Sequence, residues 1–196
     1  MVDLVESRLR FMFDTNNWTD VISFDKHVDY KRIERCIKGT TIELENEKIT
    51  INGTQGIDIL GVFQNNNLYL VEIKNYKNYR ISNKDKLENS AELLATSVGR
   101  KVRDSIACIV SGKRNSTNDK DLWERVLDIL CNQRKNIFVI LWLEEDFISL
   151  DKEKIKLYNY QKTLQGKLKW LTNSSNIRVW NKRNYPDNIN LNVEYE

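Results

Sequence analysis

Hydrophobic and polar positions alternate, recur or run together in distinct stretches, and these stretches predict the elements. Residues 3 to 13 place Leu4, Val5, Leu9, Met12 and Phe13 near one stripe, with Glu6, Arg8 and Arg10 off it, which predicts a short amphipathic helix ending at Asn16 and Asn17. Val21, Ile22 and Phe24 predict a strand over 18–24, and 30–37, closed by Gly39, predicts a short helix. Weak alternation over 40–51 reads as a peripheral hairpin. The clearest local signal runs from Gly56 to Lys74: Ile57-Asp58-Ile59-Leu60-Gly61-Val62-Phe63 and Leu68-Tyr69-Leu70-Val71-Glu72-Ile73-Lys74 flank a polar Gln-Asn-Asn-Asn, the pattern of a β-hairpin.

Beyond it, Leu87, Ala91, Leu94, Ala95, Val98, Val102, Ile106 and Ile109 recur at three- and four-residue steps, a long amphipathic helix with Asn89 and Glu92 spaced as a capping box. A polar loop is expected over 111–118 and a second helix over 120–130. The continuous apolar run Ile137 to Leu143 predicts a buried central strand reached by a parallel crossover. A further helix over about 150–171 and a strand over 177–180 precede an Asn-rich tail with the single proline, Pro186. Trp123, Phe138, Trp142 and Trp180 read as core. With no repeat and no linker, residues 1–196 are expected to form one α/β domain, a mixed central sheet with helices on both faces.

Composition narrows the chemistry. A single histidine, His27, cannot serve as both metal ligand and general base, which argues against a histidine-based hydrolase. Cys36, Cys108 and Cys131 are odd in number, far apart and without CxxC spacing, so a reduced, cytoplasmic setting is expected. No stretch approaches eighteen apolar residues and the start carries acids, so neither a membrane span nor a signal peptide is expected. Ser111-Gly112-Lys113-Arg114 lacks the first glycine and the Ser or Thr of a phosphate-binding loop.

The net charge of +3 conceals a gradient: 8 basic against 12 acidic residues over 1–73, 10 against 4 over 74–114, and 13 against 12 thereafter. The basic middle segment, Lys74, Lys77, Arg80, Lys84, Lys86, Arg100, Lys101 and Arg103 with Tyr76 and Tyr79, reads as a phosphate-contacting surface, with solvated charge as the plain alternative. A second lysine-rich stretch, Lys152 to Lys169, has the same two readings.

Within the hairpin, a turn centred near residue 66 sets Asp58 across from Ile73 or Lys74, and Glu72 and Lys74 share a face because they are two apart. Two carboxylates and an ammonium thus converge on an otherwise apolar hairpin, a costly placement that a divalent cation would offset. The stretch Gly56-Ile57-Asp58, thirteen residues, Glu72-Ile73-Lys74 resembles the PD-(D/E)xK nuclease superfamily, with Ile57 where the proline of the family's name would stand. It is the only ExK in the chain. The resemblance spans about residues 3–143 as a topology, a restriction-endonuclease-like core followed by a helix and strand at about 150–181, and only 56–74 as a motif.

What the resemblance implies is a nuclease, most directly a DNA endonuclease of restriction, repair or anti-phage defence type. Asp58, Glu72 and the backbone carbonyl of Ile73 would hold Mg²⁺, with Mn²⁺ able to substitute, and Lys74 would position the attacking water. Some members add a glutamate from the first helix, for which Glu6 is the candidate and Glu34 the alternative. Nucleic acid, above all DNA, is the implied partner, met by Lys77, Arg80, Lys84, Arg100, Lys101 and Arg103. Restriction-type members commonly dimerise to cut both strands, which raises a homodimer as a second partner. The competing reading is a non-catalytic nucleic-acid-binding or defence-complex protein on the same fold.

Overall fold

The computed structural model describes residues 1–44, 47–78, 91–147 and 149–196. The strands are β1 (Val2–Glu6), β2 (Leu9–Phe13), β3 (Trp18–Ser23), β4 (Thr40–Leu44), β5 (Glu47–Ile51), β6 (Ile59–Phe63), β7 (Asn67–Asn75), β8 (Asn136–Glu144), β9 (Ile177–Trp180) and β10 (Leu191–Tyr195). The helices are α1 (Val28–Cys36), α2 (Ala91–Asn115), α3 (Lys120–Cys131) and α4 (Leu150–Leu168).

A five-stranded mixed sheet in the order β3-β6-β7-β8-β9 forms the centre. β3, β6 and β7 are antiparallel neighbours, whereas β7, β8 and β9 run parallel, so α2 with α3, and then α4, serve as the crossovers. Strand alternation then divides two cores. Leu60, Val62, Leu68, Leu70, Val139 and Leu141 face one side and pack with buried residues of the four described helices. Ile59, Tyr69, Val71, Ile73, Ile140 and Trp142 face the other and pack against Leu9, Phe11, Phe13 and Val193 of a second sheet, β1-β2-β10. The mixed α/β sheet flanked by helices is as expected, but among the described residues the α-helices all pack on one face and share one core, and an antiparallel sheet covers the opposite face.

The covering sheet overturns the first predicted element. Residues 3–13 are not a helix but a hairpin, turned at Ser7 and Arg8 with φ of 53° and 62°, and Val2 pairs with Phe13. Leu9, Phe11 and Phe13 are buried at period two, whereas Val5 of the supposed apolar stripe is 43% exposed. The Asn-rich tail carries a further strand, β10, which pairs antiparallel with β2 and joins the two ends of the chain. The expected polar loop over 111–118 is mostly helix, since α2 continues to Asn115. Gly112 allows this by lying against the Trp123 ring, where a Cβ would come within 2.8 Å. Asn89 of the supposed capping box lies outside the described residues. The strands over 18–23, 59–75, 136–144 and 177–180, the 40–51 hairpin, and helices α1, α3 and α4 occur where the pattern places them.

Candidate active site

The β6–β7 hairpin turns at Gln64 and Asn65, whose φ values are 50° and 57°, and Asn66 N donates to Phe63 O. Two consecutive left-handed residues make a tight turn whose twist suits the strands. The register therefore runs from Phe63↔Asn67 to Ile59↔Val71, and Asp58 lies one residue before the first paired position. The sequence placed the turn one residue too late.

Glu72 and Lys74 lie on the helix-side face of β7, as their spacing requires, and Ile73 sends its side chain into the opposite core, leaving only its backbone to this site. Asp58 is fixed by its backbone and its carboxylate together. Its N–H donates to Val71 O (3.1 Å), its carbonyl accepts from Phe24 N (2.8 Å), and its Oδ2 accepts from Ile73 N (2.6 Å). The preceding residues are pinned to the helices: Gln55 N donates to Asp104 Oδ2, Gly56 N to the Tyr30 hydroxyl, and Ile57 N to Ser105 Oγ.

Glu72 is 1% exposed and meets two cations. Lys74 Nζ is 2.8 Å from Oε1, and Lys101 Nζ, from α2, is 2.8 and 2.9 Å from Oε1 and Oε2. Lys101 Nζ also lies 3.7 Å from Asp58 Oδ1. Burial and then the Asp58 charge push the Glu72 carboxyl above the usual range, while Lys74 and Lys101 oppose the shift. Burial works to lower Lys74, but the charges of Glu72 and Asp58 outweigh it and leave its ammonium held more firmly than usual.

A third carboxylate, which sequence reasoning missed, belongs here. Asp25 sits in the 3-10 turn Phe24–Lys26 that follows β3, the turn tied to Asp58 through Phe24 N. Its Oδ1 is buried and has no hydrogen-bond partner among the described residues. Burial, then the charges of Asp58 and Glu6, push the Asp25 carboxyl up, against Lys26 and Lys101. An acid directly after a strand that pairs with the hairpin was the available signal.

The other predicted residues divide. Glu6 lies on β1, not on a helix, and its Oε2 accepts from Lys26 at 2.6 Å, so it reaches the rim of the site through that pair. Glu34, on α1, is 2.7 Å from Lys31 and lines a cleft of about 440 Å³ together with Asp25 and Lys101. Lys101 belongs to the carboxylate cluster and also lines this cleft. Arg100 and Arg103 line an adjoining cleft of about 620 Å³ between α1, α2 and the β4–β5 hairpin, with Arg103 paired to Asp104. Lys77 is elsewhere, its ammonium 3.7 Å from the centre of the Tyr195 ring. Arg80, Lys84, Lys86 and Tyr79 lie outside the described residues. On α4, Lys152, Lys154 and Lys162 are exposed, as is Lys169 just past its end, while Lys156 pairs with Glu145 and Lys167 with Glu92.

A second grouping of metal-capable side chains, His27, Asp29 and Asp119, is occupied by structural work. His27 Nδ1 accepts from Asp29 N as the cap of α1, and its Nε2 lies 3.4 Å from Asp119 Oδ2. Asp29 Oδ2 accepts from Trp123 Nε1.

The donor set at Asp58 and Glu72 fits a hard divalent cation. It is all oxygen, one oxygen of Asp25 lacks a partner, and an ammonium already sits where positive charge is required.

Comparison with known proteins adds little to this geometry. The chain is similar to a cysteine–tRNA ligase of Neisseria meningitidis, 28% identical over an alignment that covers 99% of this chain and 30% of the ligase. The chain therefore spans less than a third of the length of that relative. No family model matches the chain. No solved structure matches it either.

Proposed function

We propose that the protein is a Mg²⁺-dependent nuclease on a restriction-endonuclease-like core, hydrolysing phosphodiester bonds, with DNA as the leading substrate and endonucleolytic cleavage as the leading mode. The observation that carries the reading is the convergence of Asp58, Glu72 and Lys74 on one face of the central sheet, beside a cleft. Charged groups gathered on such a surface need partners or a ligand, since buried ions lose hydration.

In this reading Asp58, Glu72 and the Ile73 carbonyl hold Mg²⁺, which when bound would supply an activated water at neutral pH and neutralise charge on the phosphate. Lys74 orients the water and donates to the developing charge. Asp58 is kept in place by the Ile73 N–H. Phosphate groups approach through the cleft of Asp25, Lys31, Lys38 and Lys101, with Arg100 and Arg103 in its neighbour. None of these roles requires a histidine.

One observation favours a second reading, a non-catalytic nucleic-acid-binding or defence-complex protein: the Lys101 ammonium satisfies both oxygens of Glu72 from within the fold. Incubation with supercoiled, linear and single-stranded DNA and with tRNA, under Mg²⁺, Mn²⁺ or EDTA, separates the two. The tRNA arm is included because the ligase relative is named for that substrate. Metal-dependent cleavage lost in Asp58→Ala and Lys74→Ala supports the nuclease; binding without cleavage supports the alternative.

A further inference from the structure

The face of α2 that carries Lys101, Asp104 and Ser105 is fixed to the segment before β6. Asp104 accepts from Gln55 N and Ser105 from Ile57 N, so the backbone of Lys101 is held while its long side chain retains its rotatable bonds. The ammonium at the end of that side chain takes the position between Glu72 and Asp58, at 2.8, 2.9 and 3.7 Å from their oxygens. A cation of the same site would need that position.

Charge decides between the two occupants. Asp25, Asp58 and Glu72 against Lys74 and Lys101 leave one negative charge, provided all five are ionised. A divalent ion in place of the Lys101 ammonium neutralises it, whereas the ion and the ammonium together would leave one positive charge in a largely buried site. The unpaired Oδ1 of Asp25 gains a partner when the larger charge enters. The displaced ammonium has somewhere to go, because Lys101 also lines the cleft of about 440 Å³ shared with Lys31 and Lys38.

We propose that Lys101 is a resident counter-ion at the cation position of Asp58 and Glu72, and that a divalent ion enters by exchange with its ammonium, which rotates into the cleft and there becomes a contact for a substrate phosphate. The inference rests on the reading of Asp58 and Glu72 as metal ligands and goes beyond it, since it makes metal entry and exposure of a phosphate-seeking group one event.

The test is calorimetric titration of the purified protein with Mn²⁺ alone, at one pH, for wild type, Lys101→Met and Asp58→Asn. Exchange predicts that Lys101→Met binds Mn²⁺ roughly tenfold or more tightly than wild type, since the competing cation is gone, and that Asp58→Asn loses the site. Unchanged or weaker binding by Lys101→Met, with the site still lost in Asp58→Asn, overturns the exchange and leaves the ligand pair standing. No binding by wild type or by Lys101→Met overturns both. Should Lys101→Met not fold, wild type decides: acetylation of Lys101 by an amine-reactive ester, read by mass spectrometry, rises on addition of Mn²⁺ if the ammonium is displaced. Unaltered labelling in the presence of bound Mn²⁺ contradicts displacement.

Discussion

Ser105 Oγ, fully buried in α2, accepts the N–H of Ile57 at 3.0 Å, and this bond sets the distance between the basic helix and the segment that leads through Asp58 into β6. Removing the hydroxyl leaves a buried N–H without a partner, which costs about 1–3 kcal/mol. Ser105→Ala is therefore expected to lower the melting temperature by several degrees in a thermal melt and to weaken Mn²⁺ binding, although Ser105 touches no proposed ligand. A variant that melts and binds like wild type would show that the anchor is dispensable.

Gly112 has the Trp123 ring where its side chain would be, at 2.8–2.9 Å from a notional Cβ. Trp123 belongs to the main core and Gly112 is buried, so neither helix can shift freely. Gly112→Ala should destabilise the fold by about 1–3 kcal/mol through overpacking, measured by chemical denaturation. A neutral result would mean that α2 and α3 are less closely apposed than described.

Alkaline unfolding follows from groups buried in neutral form. Burial pushes the Tyr69 hydroxyl up to about 12, and burial chiefly, with the Glu34 charge, does the same for Tyr30. Burial likewise pushes the Cys108 thiol up to about 11. In each case the folded value lies above the unfolded one, so the contribution to stability is complete below the unfolded value and is lost as pH rises through the folded one. Melting temperature is expected to hold up to about pH 9 and fall steeply between about 10 and 12. Tyr69→Phe should show a shallower fall, and an unchanged slope in that variant would contradict the assignment.

Thiol chemistry offers an independent check on the core. Cys36 and Cys131 are exposed and Cys108 is buried. Native protein at pH 8 should be alkylated at the first two positions and at Cys108 only after denaturation. Rapid native labelling of Cys108 would contradict the packing of α2 against α1.

Much of this was legible from periodicity. Strands β6, β7 and β8 are apolar on both faces because helices cover one and the second sheet covers the other, so their runs stand out. The first hairpin was not legible, because Leu4, Leu9 and Phe13 fit a helical stripe as well as an alternating one, and its turn uses Ser7 and Arg8 in place of glycine or asparagine. Strand β10 is short, with Asn192 and Glu194 exposed, and only its pairing to β2 reveals it. At the site, Asp58, Glu72 and Lys74 were readable from spacing. Lys101 was assigned with Arg100 and Arg103 by charge, whereas helical geometry turns it away from them to the face of Ser105. Asp25 contributes from the turn directly after β3, where its position behind a strand that pairs with the hairpin was the only mark.

The central claim is that Asp58, Glu72 and Lys74 form a metal-dependent phosphodiesterase site. Its most direct measurement is the initial rate of nicking of supercoiled DNA in Mg²⁺ by wild type and by Glu72→Gln, with folding of the variant matched by circular dichroism. The account predicts nicking by wild type that EDTA abolishes and that falls by roughly a thousandfold or more in Glu72→Gln, the loss expected when several kcal/mol of metal-derived stabilisation is removed. Nicking that persists in EDTA or in Glu72→Gln, or no cleavage of DNA or RNA by wild type with either metal, would contradict it.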